Sequence, residues 1–109
     1  MSAGARWLEA AVSHPSTRRL ASWSQRRRVA LAQALAGDAD PITGTSAWTS
    51  TRLVDAVSWY DRRAASSPRA IARHLRRLRR VELVTTLTTV RADGHRVVRV
   101  ALVEPPMNP

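Results

Sequence analysis

The hydrophobic period of this chain changes from helical to two after its most regular helix, and this change most constrains the fold. Before the change, Ile71, Leu75 and Leu78 recur at i, i+4 and i+7. After it, residues 81–91 and 96–103 are rich in Val, Leu and Thr and alternate with a period of two. The sequence therefore predicts a mainly α-helical protein with a C-terminal β-hairpin.

Two helices are predicted in the first third of the chain. The first covers residues 4–13 and ends because the residue before Pro15 is pushed out of the helical region. The second begins near Ser16 or, on the capping-box spacing of Ser22 and Gln25, near Ser22, and Gly37 is its stop. Its alanines and its apolar residues on several sides predict a helix buried in a small domain.

A loop and a third helix follow. Residues 38–47 are turn-forming types that leave room only for a short strand around Ile42 and Thr43. Thr49 is a predicted N-cap, and apolar residues at helical spacing then predict a helix over residues 50–60.

The fourth predicted helix carries a concentrated positive charge. Ser67 is its predicted N-cap and Pro68 its first residue, so the helix covers residues 68–80. The segment from Arg62 to Arg80 holds eight arginines in 19 residues and no acidic residue. A charged helix face is usually only solvated, but this concentration exceeds what solubility requires. It predicts contact with a polyanion. The arginines centred opposite the apolar stripe are Arg69, Arg73, Arg76 and Arg80.

The whole chain is basic, and all of its basic residues are arginine. Its 18 basic and 8 acidic residues give a net charge of +10. Residues 59–109 hold eleven arginines and four acidic residues, so +7 of that charge lies there. Such a charge on a folded domain points to nucleic acid first and to an anionic membrane surface second. A membrane-surface helix is disfavoured because the apolar stripe of residues 68–80 is narrow and has no aromatic anchor.

The turn of the predicted hairpin sets its register. Asp93 and Gly94 are typical of a type I′ turn with a two-residue loop. That loop places Leu87 opposite Val100 and Val90 opposite Val97. The residues then predicted on the core face are Leu83, Leu87, Val98, Val100 and Leu102.

Three stretches of the chain resemble a known family. Arg69-Ala-Ile-Ala-Arg-His-Leu-Arg-Arg-Leu-Arg-Arg-Val-Glu-Leu-Val and Asp93-Gly-His-Arg-Val-Val-Arg-Val resemble the recognition helix and wing of MarR-like and ArsR-like bacterial regulators. Trp48-Thr-Ser-Thr-Arg-Leu-Val-Asp-Ala-Val resembles the helix that precedes recognition helices there. The resemblance covers residues 24–103 and implies a winged helix-turn-helix fold, with one or two extra N-terminal helices.

The resemblance also implies a set of DNA contacts. Arg69, Ala70 and Arg73 would face major-groove bases and phosphates, and Arg96 in the wing would reach the backbone or the minor groove. The complete candidate set is Ser67, Arg69, Ala70, Arg73, Arg76, Arg77, Arg80, Arg96, Arg62 and Arg63. A second backbone contact by Arg26, Arg27 and Arg28 stands beside an equal alternative, a solvated helix start.

Two departures from the family pattern affect this reading. Glu82 stands where the family often has a glycine that ends the recognition helix, and it tolerates a left-handed cap less well by roughly 1 kcal/mol. The connector 61–66 is longer than a tight turn, which leaves the angle between the flanking helices open. The metal-ligating cysteines of metal-sensing ArsR proteins are also absent.

The expected function is sequence-specific binding of double-stranded DNA, as a small transcriptional regulator in the cytoplasm. Residues 1–23 would be a helical extension and a candidate element for homodimerisation, residues 24–104 the winged-helix domain, and residues 105–109 a frayed tail. One alternative is a winged-helix module of a replication initiator or primase-helicase from a mobile element or phage. Another is a winged helix that binds protein or RNA.

Other chemistries find little support in the residues. The chain has no cysteine, no phosphate-binding glycine loop, no nucleophile elbow and no histidine pair at metal-ligand spacing. We therefore expect no enzyme activity, cofactor or metal, and no apolar run approaches the length of a membrane span. His74 is expected as a packed helix residue. Without phenylalanine, the four tryptophans are expected in the core, with stacking on single-stranded nucleic acid as the alternative.

Overall fold

A helical N-terminal part and a C-terminal hairpin make up the protein. The computed structural model describes residues 3–41, 44–46, 50–64 and 67–103. Within these ranges the helices are α1 (Ala3–Ser13), α2 (Pro15–Arg18), α3 (Ser22–Asp38), α4 (Ser50–Tyr60) and α5 (Pro68–Arg80). The strands are β1 (Thr45–Ser46), β2 (Val84–Val90) and β3 (Arg96–Leu102), and a 3₁₀ turn covers Arg62–Ala64. The prediction of a helix-rich fold with a C-terminal hairpin is confirmed.

The junctions around α2 follow from proline and capping. α1 ends at Ser13, and the His14 side chain accepts a hydrogen bond from the backbone N–H of Ser16 at 3.1 Å. A helix begins near each of the two predicted starts: the single turn α2 begins one residue before Ser16, and α3 begins at Ser22. The predicted capping box is wrong: the extended N-cap residue is Ala21, so Ser22 is already helical and cannot act as the cap.

One hydrophobic core joins the helices to the sheet. Trp7 of α1 is fully buried, and its Nε1 donates a hydrogen bond to the Leu83 carbonyl at 2.7 Å. At Gly4 a Cβ would lie 2.9 Å from the Ala36 carbonyl oxygen, so glycine permits the close approach of α1 to α3. The other large core residues on the helices are Leu31, Leu35, Leu53, Val57, Ile71 and Leu78.

The tryptophans do not all lie in the core, although the sequence predicts that they do. Trp7 is buried, but Trp23 is 59% exposed and Trp59 80% exposed. Trp59 follows the buried Val57 by two positions, which places it on the opposite side of α4. The core prediction is therefore wrong for Trp23 and Trp59, and Trp48 lies outside the described residues.

The sheet is antiparallel with the order β1-β3-β2. β1 pairs Thr45 with Ala101 and Ser46 with Val100. The short strand expected around Ile42 and Thr43 therefore lies slightly later in the chain, and residues 42–43 themselves are outside the described part.

The hairpin register differs from the prediction by one residue. Leu87 pairs with Arg99, and Val90 pairs with Arg96. The backbone N–H of Arg91 donates to the His95 carbonyl, and that of Gly94 donates to the Arg91 carbonyl, both at 2.9 Å. The loop thus has three residues, with the left-handed φ of +85° only at Gly94. A type I′ turn needs two such residues, so the predicted two-residue loop is wrong.

This shift exchanges the two faces of β2. Leu87 is 45% exposed, because it lies on the face away from the core. Thr86 pairs with Val100 instead and is half-buried. Leu83 and Val100 are buried as expected, and Leu102 is half-buried. The side chain of Val98 lies outside the described part.

Helix α5 ends in a left-handed cap. Glu82 has a φ of +62°, which lies in the left-handed region. The backbone N–H of Glu82 bonds to the Arg79 carbonyl at 3.1 Å, and that of Leu83 bonds to the Leu78 carbonyl at 2.9 Å. These two bonds form a Schellman motif, and the buried Leu78 and Leu83 supply its hydrophobic contact.

Candidate functional site

Helix α5 presents an arginine face opposite its buried face. The Ser67 hydroxyl accepts a hydrogen bond from the backbone N–H of Ala70 at 3.2 Å, which confirms Ser67 as the N-cap. Ile71, His74 and Leu78 are buried, so the orientation of the helix is fixed by its apolar side. Six arginines of α5 are exposed: Arg69, Arg73, Arg76, Arg77, Arg79 and Arg80.

The arginine face has no neutralising partner within the described part of the chain. None of the six α5 arginines forms an ion pair or a side-chain hydrogen bond there. The acidic residues nearest to α5 in the sequence are Asp61 and Glu82. Asp61 forms an ion pair with Arg26, and Glu82 lies beyond the C-terminal end of the helix. The face therefore carries a strong, uncompensated positive potential.

The start of the connector before α5 is anchored to α3. Arg26 donates two hydrogen bonds to the Asp61 carboxylate, at 2.7 and 3.2 Å. The bound guanidinium lowers the pKa of Asp61, which also accepts the backbone N–H of Arg63. Ala64 is fully buried, while Arg62 and Arg63 are exposed. The two candidate arginines therefore lie on a turn that is held against α3, and residues 65–66, which lead to α5, are outside the described part.

The three consecutive arginines of α3 have three different environments. Arg26 is bound to Asp61. Arg27 is half-buried, and its Nε is buried with no hydrogen-bond partner in the described part. Arg28 is only 2% exposed. The three arginines therefore cannot be treated as one group that is either solvated or in contact with DNA, because each has its own environment.

Arg27 and Arg28 line a cleft between α2–α3 and α5. The cleft has a volume of about 420 Å³, and none of its lining residues is acidic. We call it the arginine cleft, after the six arginines that line it: Arg19, Arg27, Arg28, Arg73, Arg77 and Arg80. Candidate residues Arg73, Arg77 and Arg80 therefore belong both to the exposed face of α5 and to this cleft.

A buried hydrogen bond crosses the floor of the arginine cleft. Arg28 Nε donates to Nδ1 of His74 at 2.9 Å, so this ring nitrogen must be unprotonated. Burial and the nearby charges of Arg28, Arg27 and Arg73 lower the pKa of His74 to about 4. Burial, followed by the charge of Arg77, lowers the pKa of Arg28. His74 is a packed helix residue as expected, with Arg28 as its partner.

The candidate residues form three groups in the structure. Ser67, Ala70 and the α5 arginines lie on one helix, Arg62 and Arg63 lie on the preceding turn, and Arg96 lies exposed near the tip of the hairpin. Sequence reasoning missed Arg19, because the short helix α2 has no periodicity that would place it. It also missed the pairing of Arg28 with His74, which lie 46 positions apart.

The described residues contain neither a cluster of metal-ligating side chains nor a membrane-spanning helix. No group of three histidine, cysteine or acidic side chains there is arranged to hold a metal ion. No described helix is both long enough and apolar enough to cross a membrane.

Comparison of the chain with protein-family models, with curated proteins and with solved structures found no significant match.

Proposed function

We propose that this protein binds double-stranded DNA as a winged-helix domain, with α5 in the major groove and the β2–β3 hairpin along the backbone. The observation that carries the proposal is that α5 exposes six arginines, four of them centred opposite its buried apolar face, without acidic partners among the described residues. An α-helix fits the major groove of B-form DNA, and arginine binds phosphate or the O6/N7 edge of guanine with two hydrogen bonds.

The arrangement of the other elements is consistent with this docking. α3, β1, α4, α5 and the hairpin follow in the order of a winged helix-turn-helix domain. Arg91, Arg96 and Arg99 are exposed on the hairpin, so the wing is basic as well. In this proposal the protein acts as a small transcriptional regulator, with Arg69, Ala70 and Arg73 nearest the bases.

Competition between duplex DNA and duplex RNA tests the proposed mode. The deep, narrow major groove of A-form RNA excludes a helix, so fluorescence anisotropy should show tighter binding to DNA than to RNA of the same sequence. Equal affinity for the two duplexes would contradict insertion of α5 into a groove.

A matched pair of variants tests the role of α5. Arg73→Ala should weaken binding to a selected duplex by about 1–3 kcal/mol and reduce discrimination between sequences if Arg73 contacts a base. Arg18→Ala removes the same charge from the exposed end of α2 and serves as the control. An equal loss of DNA affinity in the two variants would contradict the proposal that α5 contacts the DNA.

A further inference from the structure

Arg28 is a buried cation whose charge no described acidic residue balances. It is 2% exposed, and the one hydrogen bond that its side chain forms with the described residues goes to the neutral imidazole of His74. Its Nη1 is buried and has no hydrogen-bond partner in the described part of the chain. A buried charge is normally paired, because its desolvation is costly. The arrangement is therefore incomplete without an anion.

The surroundings of Arg28 define the chemistry of that anion. Arg28 lines the arginine cleft together with five other arginines, and no acidic residue lines it. Arg27 adds a second buried nitrogen, Nε, that has no partner among the described residues. The guanidinium fork matches the oxygen spacing of phosphate, and a phosphate group offers enough acceptor oxygens for several arginines at once.

We propose that the arginine cleft binds a phosphate group, with Nη1 of Arg28 as its buried donor. His74 is the positioning residue, because its Nδ1 holds Nε of Arg28 at 2.9 Å and thereby fixes the plane of the guanidinium. Arg73, Arg77 and Arg80 close the cleft from α5. The phosphate belongs either to the DNA backbone, in which case the inference rests on the proposed function, or to a free phosphate compound.

Pyrophosphate titration at constant ionic strength tests the site without DNA. Wild-type protein should bind pyrophosphate, and the Nε–H NMR signal of Arg28 should shift while chloride at the same ionic strength leaves it unchanged. Arg28→Gln should weaken binding at least tenfold. Arg91→Gln loses the same charge on the exposed hairpin loop and should change binding less than twofold. No binding by the wild type, or equal weakening by the two variants, would overturn the proposal.

A second variant keeps the test valid if Arg28→Gln does not fold. Arg27 is half-buried, lines the cleft and tolerates substitution more easily than a fully buried side chain. Arg27→Gln should also weaken pyrophosphate binding severalfold relative to Arg91→Gln. Pyrophosphate binding that is indifferent to Arg27→Gln, with no shift of the Arg28 signal in the wild type, would contradict a site in this cleft.

Competition identifies the source of the phosphate. If the cleft holds a DNA phosphate, pyrophosphate at constant ionic strength should displace duplex DNA. If it holds a free phosphate compound, pyrophosphate should bind to the protein–DNA complex without displacing DNA. Binding of pyrophosphate through Arg28 by a protein that binds no DNA would refute the proposed function and leave this site standing. DNA binding without pyrophosphate binding would refute the phosphate site and leave the proposed function standing.

Discussion

His74 is a buried histidine that must remain neutral to accept its hydrogen bond from Arg28. Its pKa falls from 6.5 to about 4 in the folded protein. The unfolded chain therefore binds a proton at His74 more tightly than the folded protein does. The contribution of His74 to the free energy of unfolding is fully present above about pH 6.5. That contribution is lost as the pH falls through the window from 6.5 to about 4.

We therefore expect the free energy of unfolding to decrease by about 1–2 kcal/mol between pH 7 and pH 5. Urea unfolding at the two pH values measures the decrease. His74→Gln keeps an acceptor for Arg28 but does not titrate, so its stability should depend much less on pH in this range. The pKa of Asp61 is lowered from 3.8, so its contribution to stability is lost only below about pH 3.8, outside this range. An unchanged pH dependence in His74→Gln would contradict this account of the Arg28–His74 pair.

Glu82 is a second single residue with a measurable cost. Its φ of +62° is unfavourable for any residue with a Cβ, whereas glycine adopts it freely. Glu82→Gly should therefore raise the free energy of unfolding by about 1 kcal/mol. Glu9→Gly is the matched control, because Glu9 is exposed within α1 and the same change should there lower stability by about 1 kcal/mol. Thermal unfolding of both variants should show shifts of opposite sign, and shifts of the same sign would argue against the strained cap.

Among the elements, α5 and the hairpin differ in how well the sequence predicts them. The bounds of α5 are correct because Ser67 and Pro68 mark its start and the apolar stripe has a clear helical period. The hairpin is in the expected place, but Asp93 and Gly94 fit either a two-residue loop or a three-residue loop that ends in a left-handed glycine. One loop residue more or less exchanges the two faces of a strand, so the prediction of Leu87 on the core face is wrong.

The candidate site shows the same limit. Its α5 arginines follow from helical spacing, which is local information. The approach of Arg28 to His74 depends on how α3 packs against α5, and no periodicity within one helix determines a contact across 46 positions. The environment of Arg26 likewise depends on Asp61, which lies 35 positions away.

The hairpin register can be tested with two substitutions of the same kind. Val100→Thr places a hydroxyl in the core and should cost about 1–3 kcal/mol of stability. Leu87→Thr, on the exposed face of a strand, should cost less than about 1 kcal/mol. A two-residue loop would place both side chains in the core, so equal losses in chemical denaturation would favour that register over the observed one.

Across the whole molecule, positive charge is concentrated where α5 faces outward and where it meets α2–α3. The core packs α5 through Ile71 and Leu78, so its arginines are left without competing internal partners in the described part of the chain. The exposed Trp59 lies on α4, where Ala34, Gly37 and Asp38 of α3 lie beside it, and it takes no part in the arginine cleft. Of the net charge of +10, +7 thus lies in residues 59–109, which include α5 and the hairpin, so the charge is unevenly distributed along the chain.

The salt dependence of duplex DNA binding tests this central claim most directly. About five arginine–phosphate contacts predict that the logarithm of the association constant falls with the logarithm of salt concentration at a slope of about −4 to −5. Fluorescence anisotropy titrations from about 50 to 200 mM salt measure this slope. The account predicts that value for the wild type. In Arg76→Ala, which removes one of the exposed α5 arginines, the slope should be about one unit shallower if Arg76 contacts a phosphate. No binding, or an affinity that does not change with salt, would contradict the account.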